Sequence, residues 1–342
     1  MDTRDSPEQA ELRRAARQLT RELGPTTVAD FDDATRAKRL TGAVRDAGWL
    51  ELRHDSGDGN PLAGGAEVAI VADALGGAVA DVAFAGPVLA ADLARRAGID
   101  SADSAVVAFS QGLTQPAIAT TEPAFAVDAA ADQVDVAYVL VPNGGGYRLG
   151  QVRLGADSGA VGADLTRAVR VLPAGAPVHD LGVLLSKDDL APWTALGLAL
   201  TSADLVGVMR GVLDVTVAYA SERRQFGVPV GSFQAVQHLL AEAHCLMEGA
   251  LSVALHASWG VDSLEPDDAV AAGRVAKAYC ARAARTVCET AVQVHGGIGN
   301  TWDCLAHVYL RRALLSSQWF GDDGVQLHAL QRTRLGVTDE LS

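Results

Sequence analysis

Lysine is almost missing from this 342-residue chain: only Lys38, Lys187 and Lys277 occur. The formal charge is −14 at pH 7, so there is no broad basic surface of the kind that binds a phosphate backbone, and nucleic acid is not expected as a partner. Aromatic residues make up 5% of the chain, yet apolar residues reach 49%, which excludes a disordered chain and points to a well-cored globular protein. The four cysteines, Cys245, Cys280, Cys288 and Cys304, form no C-x-x-C pair. That argues against a disulfide framework or zinc site and for buried thiols in a reducing compartment. His238, His244, His256 and His307 lack the paired spacing of a metal site. The opening "MDTRDSPEQAELRRAARQL" has no apolar core of signal-peptide type, and no uninterrupted apolar run is long enough to span a bilayer. The expectation is a soluble cytoplasmic protein with no metal and no membrane partner.

What is present divides into three parts. Residues 1–103 read as a helical domain: Leu12, Ala15, Ala16 and Leu19 recur at helical spacing, "RAKRLTGAVRDAGWLEL" is a second helix, and "AEVAIVADALGGAV" is a buried third. Over 104–190 the pattern becomes short β-type runs ("SAVVAFSQG", "PAIATTEP", "VDVAYVLVP", "GYRLGQVRL", "RAVRVLP", "DLGVLLS") separated by Gly, Pro, Asp and Asn, which reads as a compact antiparallel sheet or small barrel. Residues 191–342 return to long helices. One runs through "PWTALGLALTSADLVGVMRGVLDVTVAYASERRQF". The next enters at Ser232 as N-cap, with Val236, Leu239, Leu240, Ala243, Leu246 and Met247 as its apolar face. A third has acidic residues in its first turn, where the helix dipole favours them, and "TWDCLAHVYLRRALL" is the last. Long helices with short links favour an antiparallel bundle. The fold class is mainly α with a small β domain.

Basic residues are almost all arginine, whose fixed charge suits bidentate anion contacts; genome composition produces the same bias. Two arginines, Arg223 and Arg224, stand side by side in "ERRQFGVPVGSFQAVQHLLAEA". Alone they read as a solvated face. Gly296-Gly297, in "QVHGGIGNTWDCLAHVYLRRA", alone read as a helix C-cap, which is compatible with a cofactor contact. From these residues alone a solvated helix end and an anion site both stay open. His295 reads as a packing or capping residue.

Both segments resemble signatures of the acyl-CoA dehydrogenase family, and "EQAELRRAARQL" and "LTGAVRDAGWLEL" are weaker echoes of it. The helix–sheet–helix order matches that family's fold. The resemblance implies FAD lying across a dimer interface, with one subunit holding the ring and the other the ADP half. Carried onto this sequence, Arg223 would neutralise the pyrophosphate, Gln225 would hydrogen-bond nearby and Phe226 would pack against the cofactor. Gln293 and the backbone of Gly296 and Gly297 would approach the diphosphate and adenosine, where a Cβ would block close contact.

The resemblance also shows what is missing. Most members carry a catalytic glutamate at the position that is Phe320 here, and a subset carry it at the position that is Gly197. Neither can take a proton, so no catalytic residue is assigned. "TTEP" (Thr120 to Pro123) matches the start of the flavin-side segment, but roughly twenty residues that normally follow are skipped, by strand and loop lengths. The chain is thus similar to the short partner chains of actinobacterial α2β2 enzymes acting on steroid side-chain CoA thioesters. That implies a larger catalytic paralogue as partner, an acyl-CoA substrate and an electron-transferring flavoprotein as electron acceptor. Two alternatives stand beside it: a self-sufficient flavoenzyme using Asp322 or Asp323 as a displaced base, and a flavin-free scaffold.

Overall fold

The structure is a computed structural model; it describes residues 1, 3–101, 105–118, 122–130, 133–155 and 162–335. Four helices come first: α1 (Pro7–Leu23), α2 (Ala34–Asp46), α3 (Gly65–Gly77) and α4 (Ala85–Arg96). Ser6 and Gln9 close a capping box on α1, satisfying two amide donors that the helix start leaves free. Helix α3 is mostly apolar and buried from Val68 to Gly76, and its one buried acid, Asp73, is met by Arg210 at 2.6 Å.

Six strands follow: β1 (Ala105–Phe109), β2 (Ala124–Val127), β3 (Val136–Asn143), β4 (Gly146–Arg153), β5 (Val169–Leu172) and β6 (His179–Leu185). They form one sheet in the order β5-β2-β1-β3-β4-β6. The sheet is mixed and not purely antiparallel, because β1 and β3 pair in parallel with Ala105 opposite Val136. Among the described residues of the expected "PAIATTEP" strand there is no continuous strand, and Ala119, Thr120 and Thr121 lie outside them. Pro116 and Ile118 make isolated bridges to Phe109 and Leu140, and Glu122 and Pro123 lead into β2. The "AFAV" run is the strand instead, pairing with both β1 and β5.

The remainder is helical: α5 (Lys187–Glu222), α6 (Gln234–Ser263), α7 (Pro266–His295), α8 (Ala306–Gln318) and α9 (Asp323–Arg334), with a short hairpin of β7 (Arg224–Gln225) and β8 (Val228–Pro229) between α5 and α6. Helix α9 is a fifth element against the expected four. From Asp188, α5 is long and apolar enough to cross a bilayer, but 94% of its most apolar stretch is buried inside the fold. Ser232 does not cap α6: its hydroxyl donates to the Pro229 carbonyl, 2.7 Å, and the N-cap position falls to Phe233. Cys280, Cys288 and Cys304 are buried, whereas Cys245 is exposed, since it faces away from the apolar stripe marked by Ala243 and Met247.

A buried polar network joins the three parts. Asp204 of α5 accepts from Arg312 of α8 (2.7 Å) and Ser316 (2.7 Å), and Arg167, just ahead of β5, pairs with both Asp204 (3.0 Å) and Asp128 (3.3 Å). Asp128 accepts from the Phe84 and Gly86 amides at the start of α4. Burial opposes the charge on Asp204, but Arg167 and Arg312 outweigh it and hold the carboxyl below its usual range. Removing one partner would leave a buried charge uncompensated, which costs about 3–5 kcal/mol.

Candidate cofactor-facing site

Helices α5 and α7 run side by side in the same direction. Gly273 packs on Leu198 near their beginnings, and Tyr219 stacks on His295 at their ends, ring centroids 4.4 Å apart and planes 24° apart. Both motif segments therefore emerge at one end of the bundle. Arg223 is the C-cap of α5, where positive charge complements the negative end of the helix dipole. Gly296 is the C-cap of α7 at φ 65°, ψ −142°, a conformation essentially restricted to glycine.

After Arg223 the chain turns back within two residues. Arg224 pairs with Pro229 and Gln225 with Val228, and the turn residues Phe226 and Gly227 have φ of 51° and 83°. Positive φ at both central positions is the I′ turn that fits a twisted hairpin. For a phenylalanine it costs about 1–2 kcal/mol, and the ring gains little from burial because it is 94% exposed. It touches Phe233 edge-on, 6.3 Å between centroids. Packing within this chain therefore does little to offset the strain at the hairpin tip.

Arg223, Arg224, Gln225, Gln293, Gly296 and Gly297 are all exposed. Among the described residues neither Arg223 nor Arg224 pairs with an acid; Arg224 reaches only the Gly227 carbonyl, 3.4 Å. A Cβ built on Gly296 or Gly297 would meet nothing within 4 Å, so the turn (a 3-10 segment, Gly296–Asn300) presents open backbone at the end of the bundle where Arg223 and Arg224 also emerge, neither paired with an acid. Two cationic side chains and open backbone at one edge are chemically suited to an anion.

The positions compared with the family's glutamate, Gly197 on α5 and Phe320 after α8, meet each other. A Cβ on Gly197 would lie 2.5 Å from Cε2 of Phe320 and closer still to Cζ and Cε1. The Phe320 ring sits among Phe109 (5.0 Å), Trp193 (5.2 Å) and Trp319 (6.3 Å), and all four side chains are buried. Trp193 Nε1 is satisfied by the Leu89 carbonyl, 2.8 Å, and the Phe320 amide by the Leu113 carbonyl, 2.8 Å. Among the described residues the ring's neighbours are aromatic, and neither position 197 nor 320 supplies a proton acceptor. Asp322 is occupied as the N-cap of α9, accepting from Val325 N at 2.9 Å.

A family model described as "Acyl-CoA dehydrogenase, C-terminal domain" matches residues 197–335. Acyl-CoA dehydrogenase IpdE2 of Mycobacterium tuberculosis is 31% identical over 253 residues, covering 74% of this chain and 73% of that one. The chain belongs to the acyl-CoA dehydrogenase family. Acyl-CoA dehydrogenase FadE34 of the same organism is 39% identical over 149 residues, 42% of this chain. That match spans only 21% of FadE34's length. Among solved structures, the Tcur3481-Tcur3483 steroid ACAD G363A variant superposes with a TM-score of 0.78 at 21% identity, covering 96% of this chain and 98% of that chain. The ChsE4-ChsE5 complex from Mycobacterium tuberculosis gives 0.76 at 22% identity, with 99% and 100% covered. These last two establish the acyl-CoA dehydrogenase fold.

Sequence reasoning missed the Tyr219–His295 stack and the aromatic cluster. Tyr219 and His295 stand 76 residues apart, and Trp319-Phe320 is met by Phe109 and Trp193 from more than a hundred residues away, so no local spacing announces either contact. The one available signal was that Tyr219 and Arg223 stand four residues apart, one turn along a single helix.

Proposed function

We propose that this chain is the partner subunit of a heteromeric FAD-dependent acyl-CoA dehydrogenase, offering its clamp to a flavin seated mainly in a larger catalytic paralogue in an α2β2 assembly. Bound FAD supplies the hydride acceptor for α,β-dehydrogenation of an acyl-CoA thioester. This chain's residues bind and orient: Arg223 sets fixed charge against the pyrophosphate, Gln225 and Gln293 hydrogen-bond beside it, Phe226 packs against the cofactor, and Gly296 and Gly297 allow backbone approach. The observation that carries the reading is the Phe320 ring standing in the space that a side chain at Gly197 would need, which leaves both glutamate positions without a base and the space between them without room. The steroid side-chain CoA substrate rests on the likeness to a steroid acyl-CoA dehydrogenase, and the unlike partner on the likeness to a two-protein complex. Electrons would leave to an electron-transferring flavoprotein.

Arg223→Ala in the assembled complex tests the clamp. Loss of one charge-assisted contact of about 1.5–3 kcal/mol weakens FAD retention roughly 10- to 100-fold. Unchanged retention would make the chain a flavin-free scaffold.

A further inference from the structure

Beside the buried network that joins the three parts lies a polar cleft that the clamp does not use. It has a volume of about 300 Å³ and is lined by Asp81, Asp128, Gln133, Asp164, Thr166 and Arg167. Its three carboxylates are not equally served. Asp81 is held by Arg36 at 2.8 Å. Asp128 accepts from two backbone amides and pairs with Arg167 at 3.3 Å. Asp164 is 7% exposed, and it receives the Thr166 amide and hydroxyl, both on Oδ1 at 2.8 Å. Its Oδ2 is buried with no hydrogen-bond partner, and among the described residues no cationic side chain forms an ion pair with it. Burial drives this carboxyl up, against the pull of Arg312, Arg167 and the Thr166 bonds, whereas Asp204 of the same network is held down. A buried carboxylate without its own counter-charge is costly, and an orphan buried acceptor calls for a partner. We propose that the cleft is a binding site for a small primary ammonium ion, with Asp164 as its anchor.

The chemistry of the walls matches that class. A primary ammonium carries one positive charge and three N–H donors. The cleft offers Asp164 Oδ2, then Asp128 Oδ1, which accepts no hydrogen bond, and the side-chain carbonyl of Gln133, whose amide is spent on Thr41 at 3.4 Å. A divalent metal fits less well. Among the described residues no group of three or more His, Cys, Asp or Glu is arranged to hold one, and the Arg167 guanidinium already stands in the wall. A water in the liquid takes about 30 Å³, so the cleft has room for a short alkyl chain behind the nitrogen. Half-buried Asp81 and Gln133 mark the way in from solvent. The site does not depend on the partner-subunit reading.

The test is thermal unfolding of the full chain at neutral pH in rising ethylammonium chloride. Ionic strength is held constant with tetramethylammonium chloride, which has the charge but no N–H. The melting temperature is expected to rise and saturate, because a ligand that binds only the native state stabilises it, and to stay flat when potassium chloride replaces ethylammonium. Asp164→Asn keeps a side-chain oxygen for Thr166 and should raise the half-saturating ethylammonium concentration about 10- to 100-fold, the loss of one charge-assisted hydrogen bond. An equal rise with potassium, no saturable rise at all (the carboxyl then holding a proton), or a half-saturation point unmoved by Asp164→Asn would overturn the proposal. If Asp164→Asn fails to fold, the wild-type contrast between ethylammonium and potassium decides.

Discussion

If Gly197 and Phe320 compete for one space, their substitutions must be strongly coupled. Gly197→Ala adds a methyl where the Phe320 ring already stands. It gains about 1 kcal/mol of helix propensity, but forced overlap in a packed core costs about 1–3 kcal/mol or more, so a net loss of about 1–2 kcal/mol is expected. Phe320→Ala empties the ring site and costs about 3–5 kcal/mol. Alanine keeps the positive φ of 66°, so no strain is relieved to soften that loss. In the double variant the added methyl meets a vacated site, and Gly197→Ala there should be neutral or stabilising by up to about 1 kcal/mol. The coupling is then about 1–3 kcal/mol. Urea unfolding followed by the fluorescence of Trp193 and Trp319, which flank the ring, measures all four corners of the cycle. Additivity within about 0.5 kcal/mol, the behaviour of independent sites, would refute the shared-space argument.

Asp322→Asn keeps the α9 cap, because asparagine caps as well as aspartate, and removes any proton acceptor. Turnover of the complex should stay within about twofold, as it should for Asp323→Asn, whereas a loss of about 100-fold or more would make the aspartate a general base. Lys277 is fully buried, donating to the Ser316 carbonyl, and burial pulls its ammonium down to about 7 from 10.5. Between those values the unfolded chain holds a proton that the native chain has released, so stability rises with pH across that window. Lys277→Met should therefore be more stable than wild type near pH 7, with the advantage fading toward pH 10.5 in parallel thermal melts; an advantage independent of pH would contradict the assignment.

Much of this architecture was legible because it is local. The helical stripe of α6 from Val236 to Met247 lies on the buried side as its period requires, and Asp267 and Asp268 open α7 where the dipole favours them. Errors arose where tertiary pairing outranks local pattern. "AFAV" becomes a strand because β1 and β5 flank it on both edges, and β1 finds β3 in parallel across a long connection. Ser232 has the chemistry of a cap, but the turn from Pro229 takes its hydroxyl first. The clamp residues could be picked out by motif. What brings their two segments to one end of the bundle, the Tyr219–His295 stack, is a contact across 76 residues. Likewise the sequence shows that positions 197 and 320 lack a carboxylate, but only the packing shows that they meet.

The central claim, a clamp that serves a flavin held mainly by another chain, is tested most directly by flavin absorbance against protein mass. The chain would be purified alone and then co-expressed with the acyl-CoA dehydrogenase paralogue encoded nearest to it. The account predicts a flavin-free chain alone and one FAD per pair of unlike chains in the complex. One FAD per subunit on the isolated chain would contradict it.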